Sequence, residues 1–275
     1  MDRMEGDGRL DGGSGVLLAG CGNLGRALLT GWLQSGLPTS GIRVVDPAGL
    51  EAHVYPGVTT ARAAHVFNEV ASSLVLAVKP QMLDAAATDL AHLVGSETTV
   101  ISVLAGRPLA AIREAFPQAG AVVRAMPNTA AAIGASASVL CAEPEASGAA
   151  RALAERLLGA VGLVRWVGDE CQMHAVTAVS GSGPAYFFRF IEVLARAGHA
   201  AGLPKDLSMD LAIQTALGAG RLAGLRGDPA ALRRQVTSPN GTTLAGLEAL
   251  EAGGLEDLIM LSVQAAAARS RELAE

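Results

Sequence analysis

The stretch Val16-Leu17-Leu18-Ala19-Gly20-Cys21-Gly22-Asn23-Leu24-Gly25 decides the fold of the first half of this chain. Its four apolar residues predict a buried strand, and residues 24–34 predict a helix ended by Gly36 and Pro38. Three glycines lie between. Gly20 permits a tight turn, Gly22 lets backbone approach a phosphate, and Gly25 lets strand and helix pack closely. The start of the helix adds N–H donors and positive potential for an anion. Glycines alone fit an ordinary βα turn equally well; the context favours a dinucleotide. A second strand, 42–45, ends at Asp46, roughly 20 residues after the loop as dinucleotide binding requires. A carboxylate there accepts hydrogen bonds from adenosine ribose hydroxyls and repels a 2′-phosphate. Pro47-Ala48-Gly49-Leu50 follows with no basic residue, so Asp46 leans towards NADH. The plainer reading of Asp46 is a cap on the turn that follows it.

Working outward, further strands are expected at 74–78, 99–104 and 121–124, with helices at about 82–93 and 108–115. Short β-rich runs between helices indicate βαβ units and a mainly parallel sheet. After about Gly168 the pattern changes. Helices are expected at 171–179 and 186–197, divided or bent at residues 181–184, then at 207–225, 244–250 and 255–273. The fold class is therefore an α/β Rossmann-type dinucleotide-binding domain plus an all-α C-terminal domain. The expected boundaries are a disordered tail at 1–13, the nucleotide domain at 14–168 and the helical domain at 169–275.

Composition narrows the function classes. Half of the 275 residues are hydrophobic but only 3% are aromatic, so the core must be built of Ala, Leu and Val. The net charge of −5 is mild and Lys occurs only at Lys79 and Lys205, which leaves no nucleic-acid footprint. Cys21, Cys141 and Cys171 are too few and too scattered for a disulfide framework, as suits a reducing cytoplasm. The low-charge stretches 27–42 and 171–188 are broken by Gly and Pro and make poor membrane spans. The five histidines show no metal-ligand spacing.

A second loop, Val236-Thr237-Ser238-Pro239-Asn240-Gly241-Thr242-Thr243, lies between helical stretches. Its hydroxyls and backbone N–H groups suit a small carboxylate. An N-cap role for Thr242 or Thr243 fits the spacing equally well.

Several further segments point one way. These are Ala77-Val78-Lys79-Pro80-Gln81, Ser102-Val103-Leu104-Ala105-Gly106, Arg124-Ala125-Met126-Pro127-Asn128-Thr129 and Ala178-Val179-Ser180-Gly181-Ser182-Gly183-Pro184-Ala185-Tyr186. Followed by the 236–247 segment, in this order and spacing, they make the chain from about Gly15 onward resemble the pyrroline-5-carboxylate reductases. The resemblance implies reduction of 1-pyrroline-5-carboxylate to L-proline with NAD(P)H, the last step of proline synthesis. It implies a homodimer formed by the helical domain, with decamers of dimers in many members, and a substrate loop working against the partner's nucleotide domain.

By position, the resemblance implies that Gly22, Asn23 and Leu24 contact the pyrophosphate and that Ala77, Val78, Lys79 and Pro80 line the nucleotide cleft. It places Ala105 and Asn128 near the nicotinamide. It assigns the substrate carboxylate to Ser238, Thr242 and Thr243, with Gly241 in the same loop and Thr243 close to the ring nitrogen as the catalytic residue. Three positions depart from the family pattern. Asn240 stands where Gly is usual, and Asn tolerates positive φ. Ala130 replaces a Pro, which predicts a less rigid loop. Asp46 replaces a polar or basic run. Two other readings compete: a reductase of another cyclic imino acid, and a non-catalytic nucleotide-binding regulator. A β-hydroxy-acid dehydrogenase would need a Lys within 171–189, and there is none.

Overall fold

The computed structural model describes residues 15–50 and 53–274. The tail expected at 1–13 lies outside them. Strands are β1 (Val16–Ala19), β2 (Ile42–Val45), β3 (Thr59–Ala61), β4 (Ser73–Leu76), β5 (Thr99–Ser102), β6 (Ala121–Met126), β7 (Ser136–Ala142) and β8 (Gly162–Trp166). Helices among and after them are α1 (Asn23–Gln34), α2 (Leu83–Leu90), α3 (Leu109–Ala115), α4 (Gly148–Gly159), α5 (Met173–Val176), α6 (Gly183–Ala200), α7 (Lys205–Arg226), α8 (Pro229–Gln235), α9 (Thr242–Ala252) and α10 (Leu255–Glu272).

The strands form one sheet in the order β3-β2-β1-β4-β5-β6-β7-β8. Every neighbouring pair is parallel except β6 and β7, which run antiparallel from Val123↔Ala142 to Met126↔Val139. The central strands β1, β4 and β5 are buried at every position. That is why they are continuous apolar runs rather than alternating ones. One apolar layer packs Leu28, Leu29 and Trp32 of α1 with Leu157 and Leu158 of α4; Leu83, Leu90, Ile112 and Phe116 line the other. Trp32 buries its ring completely and donates Nε1–H to the Leu157 carbonyl at 2.8 Å, so the indole carries no unsatisfied donor into the core.

The chain packs as two compact units. The sheet unit runs to Gly181 and includes the C-terminal stretch from Ala268; the helical unit is Ser182–Ala267. The expected third strand, 74–78, is displaced to Ser73–Leu76, and β3, β7, α4, β8 and α8 were not anticipated. The bend expected near 181–184 is a π-helical turn, Thr177–Gly181, followed by α6 with Pro184 in its first turn. A π turn inserts one residue into the helix and is common at functional sites. No helix among the described residues is long and apolar enough to cross a membrane.

The helical unit buries little. Phe187, Phe188, Phe190, Leu211, Ile213, Leu258 and Leu261 are all exposed, with Phe187 at 68%. Within it, α6 is tied to α7 by a Ser208 hydroxyl that donates to the Ala195 carbonyl at 2.6 Å. The close approach depends on Gly198, where a Cβ would meet Ser208 Oγ at 2.3 Å.

Candidate functional site

The strand order reverses between β1 and β4, and in open α/β sheets a ligand crevice forms at the carboxyl ends of such strands. There the structure brings Gly20, Gly22, Asp46, Ala77, Val78 and Lys79 around one cleft of about 440 Å³, closed by Met82, Ala86 and Leu90. The glycines take the roles the spacing demands. Gly20 has φ +89°, and a Cβ on it would stand 2.7 Å from the Ala77 backbone. Gly25 packs so closely on the turn that a Cβ would strike the Gly20 carbonyl. Gly22 faces open space, so its backbone is free for a ligand's approach. It is the N-cap of α1 and makes no side-chain cap bond, so the first N–H groups of that helix remain available. A cradle that a Cβ would fill, beside free helix donors, fits a dinucleotide pyrophosphate.

Asn23 and Leu24 open onto an adjoining cleft of about 610 Å³ shared with Pro127, Asn128, Thr129 and Gly181. Asn128 is spent on structure at both ends of its amide. Its Nδ2 donates to the Ser180 carbonyl in the π turn, and its Oδ1 accepts from Ala130 N–H, each at 3.1 Å. Proline at position 130 could not supply that N–H. The loop expected to lose rigidity with Ala130 therefore gains a capping bond. Pro80 and Ala105 line neither cleft; Pro80 opens a short 3₁₀ turn, and Ala105 is exposed in the turn after β5.

Asp46 caps the turn that follows it, the plainer of its two readings, and also bonds the glycine-rich loop. One carboxylate oxygen accepts from Cys21 N–H and the other from Ala48 N–H at 2.8 Å. The neighbouring Cys21 thiol is buried and pushed up to about 11, chiefly by loss of solvent, so it is no nucleophile at neutral pH.

In the helical unit, Ser238 and Gly241 close a turn through Gly241 N–H and the Ser238 carbonyl at 3.1 Å. Asn240 sits in this turn at φ 58°, the one positive φ outside glycine among the described residues. A Cβ at Gly241 would meet Ser238 Oγ at 2.4 Å, so the hydroxyl lies over the glycine. Helix α9 begins at Thr242, one residue after Gly241, with no side-chain cap bond. Neither Thr242 nor Thr243 caps it, and both are exposed. Thr237, by contrast, spends its hydroxyl on the Arg233 carbonyl at 2.6 Å.

His174 is held by Ser270 at 3.1 Å, and its pKa is lowered by desolvation and then by Arg124 and Arg271. It supports the packing of the C-terminal stretch. No group of three His, Cys, Asp or Glu among the described residues is placed to hold a metal ion. Sequence reasoning missed two arginines near the Asp46 turn, Arg26 and Arg62. Arg26 stands directly after the glycine motif, whereas only the pairing of β3 with β2 reveals Arg62.

Residues 170–273 match the family model for pyrroline-5-carboxylate reductase dimerisation, and 15–106 match that for NADP oxidoreductase, coenzyme F420-dependent. The chain is 41% identical to the pyrroline-5-carboxylate reductase of Pseudomonas aeruginosa, over 94% of this chain and 97% of that one. It is 39% identical to the same enzyme of Pisum sativum, over 92% and 94% of the two chains. The pyrroline-5-carboxylate reductase structure from Coxiella burnetii superposes with a TM-score of 0.89 at 34% identity, covering 95% of this chain and 99% of that one.

Proposed function

The chain belongs to the pyrroline-5-carboxylate reductase family, and from that premise we propose that it reduces 1-pyrroline-5-carboxylate to L-proline with hydride from a nicotinamide dinucleotide, the last step of proline synthesis. The observation that carries the proposal is the convergence of Gly20, Gly22, Asp46, Ala77, Val78 and Lys79 on one cleft at the sheet's switch point.

The bound dinucleotide supplies the hydride. The protein's own residues bind, orient and exclude water. Helix α1 presents the N–H groups of Asn23 and Leu24 to the pyrophosphate, and Lys79 with Ala77 and Val78 forms the wall of the cleft. Asn128 borders the nicotinamide end. Asn128 acts by holding the π turn in place, since its amide is already bonded. On the second loop, the Ser238 and Thr242 hydroxyls and the free N–H groups at the start of α9 hold the substrate carboxylate. The Thr243 hydroxyl, free of any capping bond, hydrogen-bonds the ring nitrogen. Threonine is a weak acid, so the proton reaches nitrogen from water or is already on the imine. Holding two reactants in line supplies much of the acceleration, on the order of 10⁵ M or more in effective concentration.

The exposed aromatic and aliphatic side chains of α6, α7 and α10 support a homodimer formed by the helical unit, with the domain division near residue 168. Decamers of such dimers, a substrate loop serving the partner's cleft, and a cytoplasmic location extend the same family reading. Asp46 taken alone favours NADH; the two arginines near it act in the opposite sense.

The test is turnover. The chain is incubated with each dinucleotide and a panel of cyclic imino acids of different ring size and carboxylate position, and products are identified by chromatography. Proline from 1-pyrroline-5-carboxylate, with the highest kcat/KM in the panel, is expected. Better turnover of another imine would transfer the activity to that substrate. Tight dinucleotide binding with no turnover of any imine would favour a regulator.

A further inference from the structure

Two arms of the sheet unit meet at both their ends. One runs from Arg124 along the end of β6 to Asn128. The other runs from Glu170 through α5 to the π turn, ending at Gly181. At the first meeting point, Glu170 Oε1 accepts from Arg124 Nη1 at 2.8 Å. At the second, Asn128 Nδ2 donates to the Ser180 carbonyl at 3.1 Å, and a Cβ on Gly181 would meet Met126 Cε at 2.5 Å. The arms match in length, since four extended residues span about 13 Å and ten helical ones about 15 Å.

Neither arm bends freely. Strand β6 is paired with β5 on one side and β7 on the other. In the helical arm Met173 and Ala178 are fully buried, and Thr177 and Ser180 spend their hydroxyls on the Met173 and Val176 carbonyls at 2.8 and 3.0 Å. The His174 bond to Ser270 pins its middle. The place of the Ser180 carbonyl, and with it the Asn128 amide, therefore follows from where Glu170 is held.

Arg124 is 3% exposed, so its charge demands a partner. Charge alone does not account for the second bond that Glu170 makes. The same Oε1 accepts from Leu109 N–H at 2.8 Å, at the start of α3, whose N-cap Pro108 makes no side-chain cap bond. One oxygen serving donors from two elements is confined to the small region where both distances and angles are met.

We propose that Glu170 is a positioning residue for hydride transfer: held by Arg124 and Leu109 N–H, it sets the π turn and the Asn128 amide at the nicotinamide end without touching cofactor or substrate. The assignment rests on the proposed function, in which Asn128 borders the nicotinamide.

Two variants separate geometry from charge. Glu170→Gln keeps an amide oxygen for both donors but leaves the buried Arg124 without a counter-charge. Glu170→Asp keeps the charge but is one methylene shorter, so it cannot reach both donors from the same backbone position. Melting temperature should fall from the unaltered chain to Glu170→Asp to Glu170→Gln, because stability follows charge. The kcat at saturating dinucleotide and 1-pyrroline-5-carboxylate should fall in the other order, with most of it kept by Glu170→Gln. Glu170→Asp should lose about tenfold to a hundredfold, the scale of a misplacement of about 1 Å. ADP, which reaches only the glycine-loop end, should bind all three chains equally in calorimetry. A kcat that follows the melting order, an unaltered kcat in Glu170→Asp, or ADP affinity lost along with turnover would overturn the assignment. If Glu170→Gln does not fold, Glu170→Asp decides alone on the same readings. Should the unaltered chain bind a reduced dinucleotide but reduce no imine, the proposed function falls, and the emission of the bound dihydronicotinamide decides the positioning. Glu170→Asp should then move that emission towards the free dinucleotide's, and emission identical to that of the unaltered chain would overturn the assignment.

Discussion

The glycine-rich loop and the 238–243 loop, each proposed to hold an anion, are built in opposite ways. The first is closed within its own unit. Gly20 N–H bonds to the Val45 carbonyl at 2.8 Å, Asp46 bonds to Cys21 N–H, and added Cβ atoms at Gly20 or Gly25 would meet backbone. The second is open. Thr242 and Thr243 carry no capping bond, Asn240 holds a strained φ, and the surrounding unit leaves Phe187 and Phe188 exposed. A loop whose internal bonds are satisfied is ready before its ligand arrives. A loop with free hydroxyls has hydrogen-bonding capacity left for a ligand.

The comparison can be broken most forcefully at Gly20. Gly20→Ala places a Cβ against the Ala77 backbone at positive φ, which should cost about 2–4 kcal/mol of strain. Dinucleotide affinity should fall by two orders of magnitude or more in a fluorescence titration, and the melting temperature should drop; unaltered affinity would show that the loop is not the cradle. On the open side, Phe187→Glu tests whether the exposed face is an interface. Each large apolar side chain buried there contributes about 1.5–3 kcal/mol. Sedimentation should show the unaltered chain as a dimer or larger and the variant as a smaller species. An unaltered chain that sediments as a monomer would refute the assigned role of that face.

A smaller effect probes the scaffold behind the closed site. Arg113 donates Nε–H and Nη2–H to the two oxygens of Glu143 at 2.9 and 2.6 Å, and Val122 N–H adds a third bond at 3.1 Å. Hydrogen bonding from Arg113, ahead of the opposing desolvation, holds the Glu143 pKa below the ordinary carboxylate value. A depressed carboxylate stabilises the fold above its unfolded pKa, about 4.3, and loses that contribution as pH falls through the folded value. The unaltered chain should therefore exceed Glu143→Gln by about 1–2 kcal/mol in denaturant titrations near pH 7. The gap should narrow below about pH 4, and a constant gap would assign the effect to packing. The smallest change is expected at Asn240→Gly. Relief of the positive φ should alter stability by less than about 1 kcal/mol. A large loss would mean that the Asn side chain, rather than its backbone, shapes the turn.

How legible each region was in the sequence follows the same contrast. Strands β1, β2, β4 and β5 are buried apolar runs and show themselves directly. Strand β7, Ser-Ala-Ser-Val-Leu-Cys-Ala, holds its place through cross-strand register with β6 and β8 and contains only one β-branched residue. Strand β8 alternates between intermediate and exposed positions at the sheet's edge, and β3 is three residues long. None of the three offers a strong local signal. The cleft residues from Gly20 to Lys79 were legible because glycine spacing and strand ends specify them. Arg62 was not, since its approach to Gly49 depends on the pairing of β2 with β3. The roles of Ser238, Thr242 and Thr243 came from family resemblance. From local spacing alone, a cap at α9 competed equally, and only the geometry shows those hydroxyls unspent.

The central claim is that one loop holds the dinucleotide and the other acts on the substrate. Thr243→Ala tests it most directly, with dinucleotide affinity and turnover of 1-pyrroline-5-carboxylate measured on the same preparation. Binding close to that of the unaltered chain, with kcat/KM reduced by about a hundredfold or about 2.7 kcal/mol in the barrier, is the predicted result. Equal turnover by the variant, or loss of dinucleotide binding along with turnover, would contradict the account.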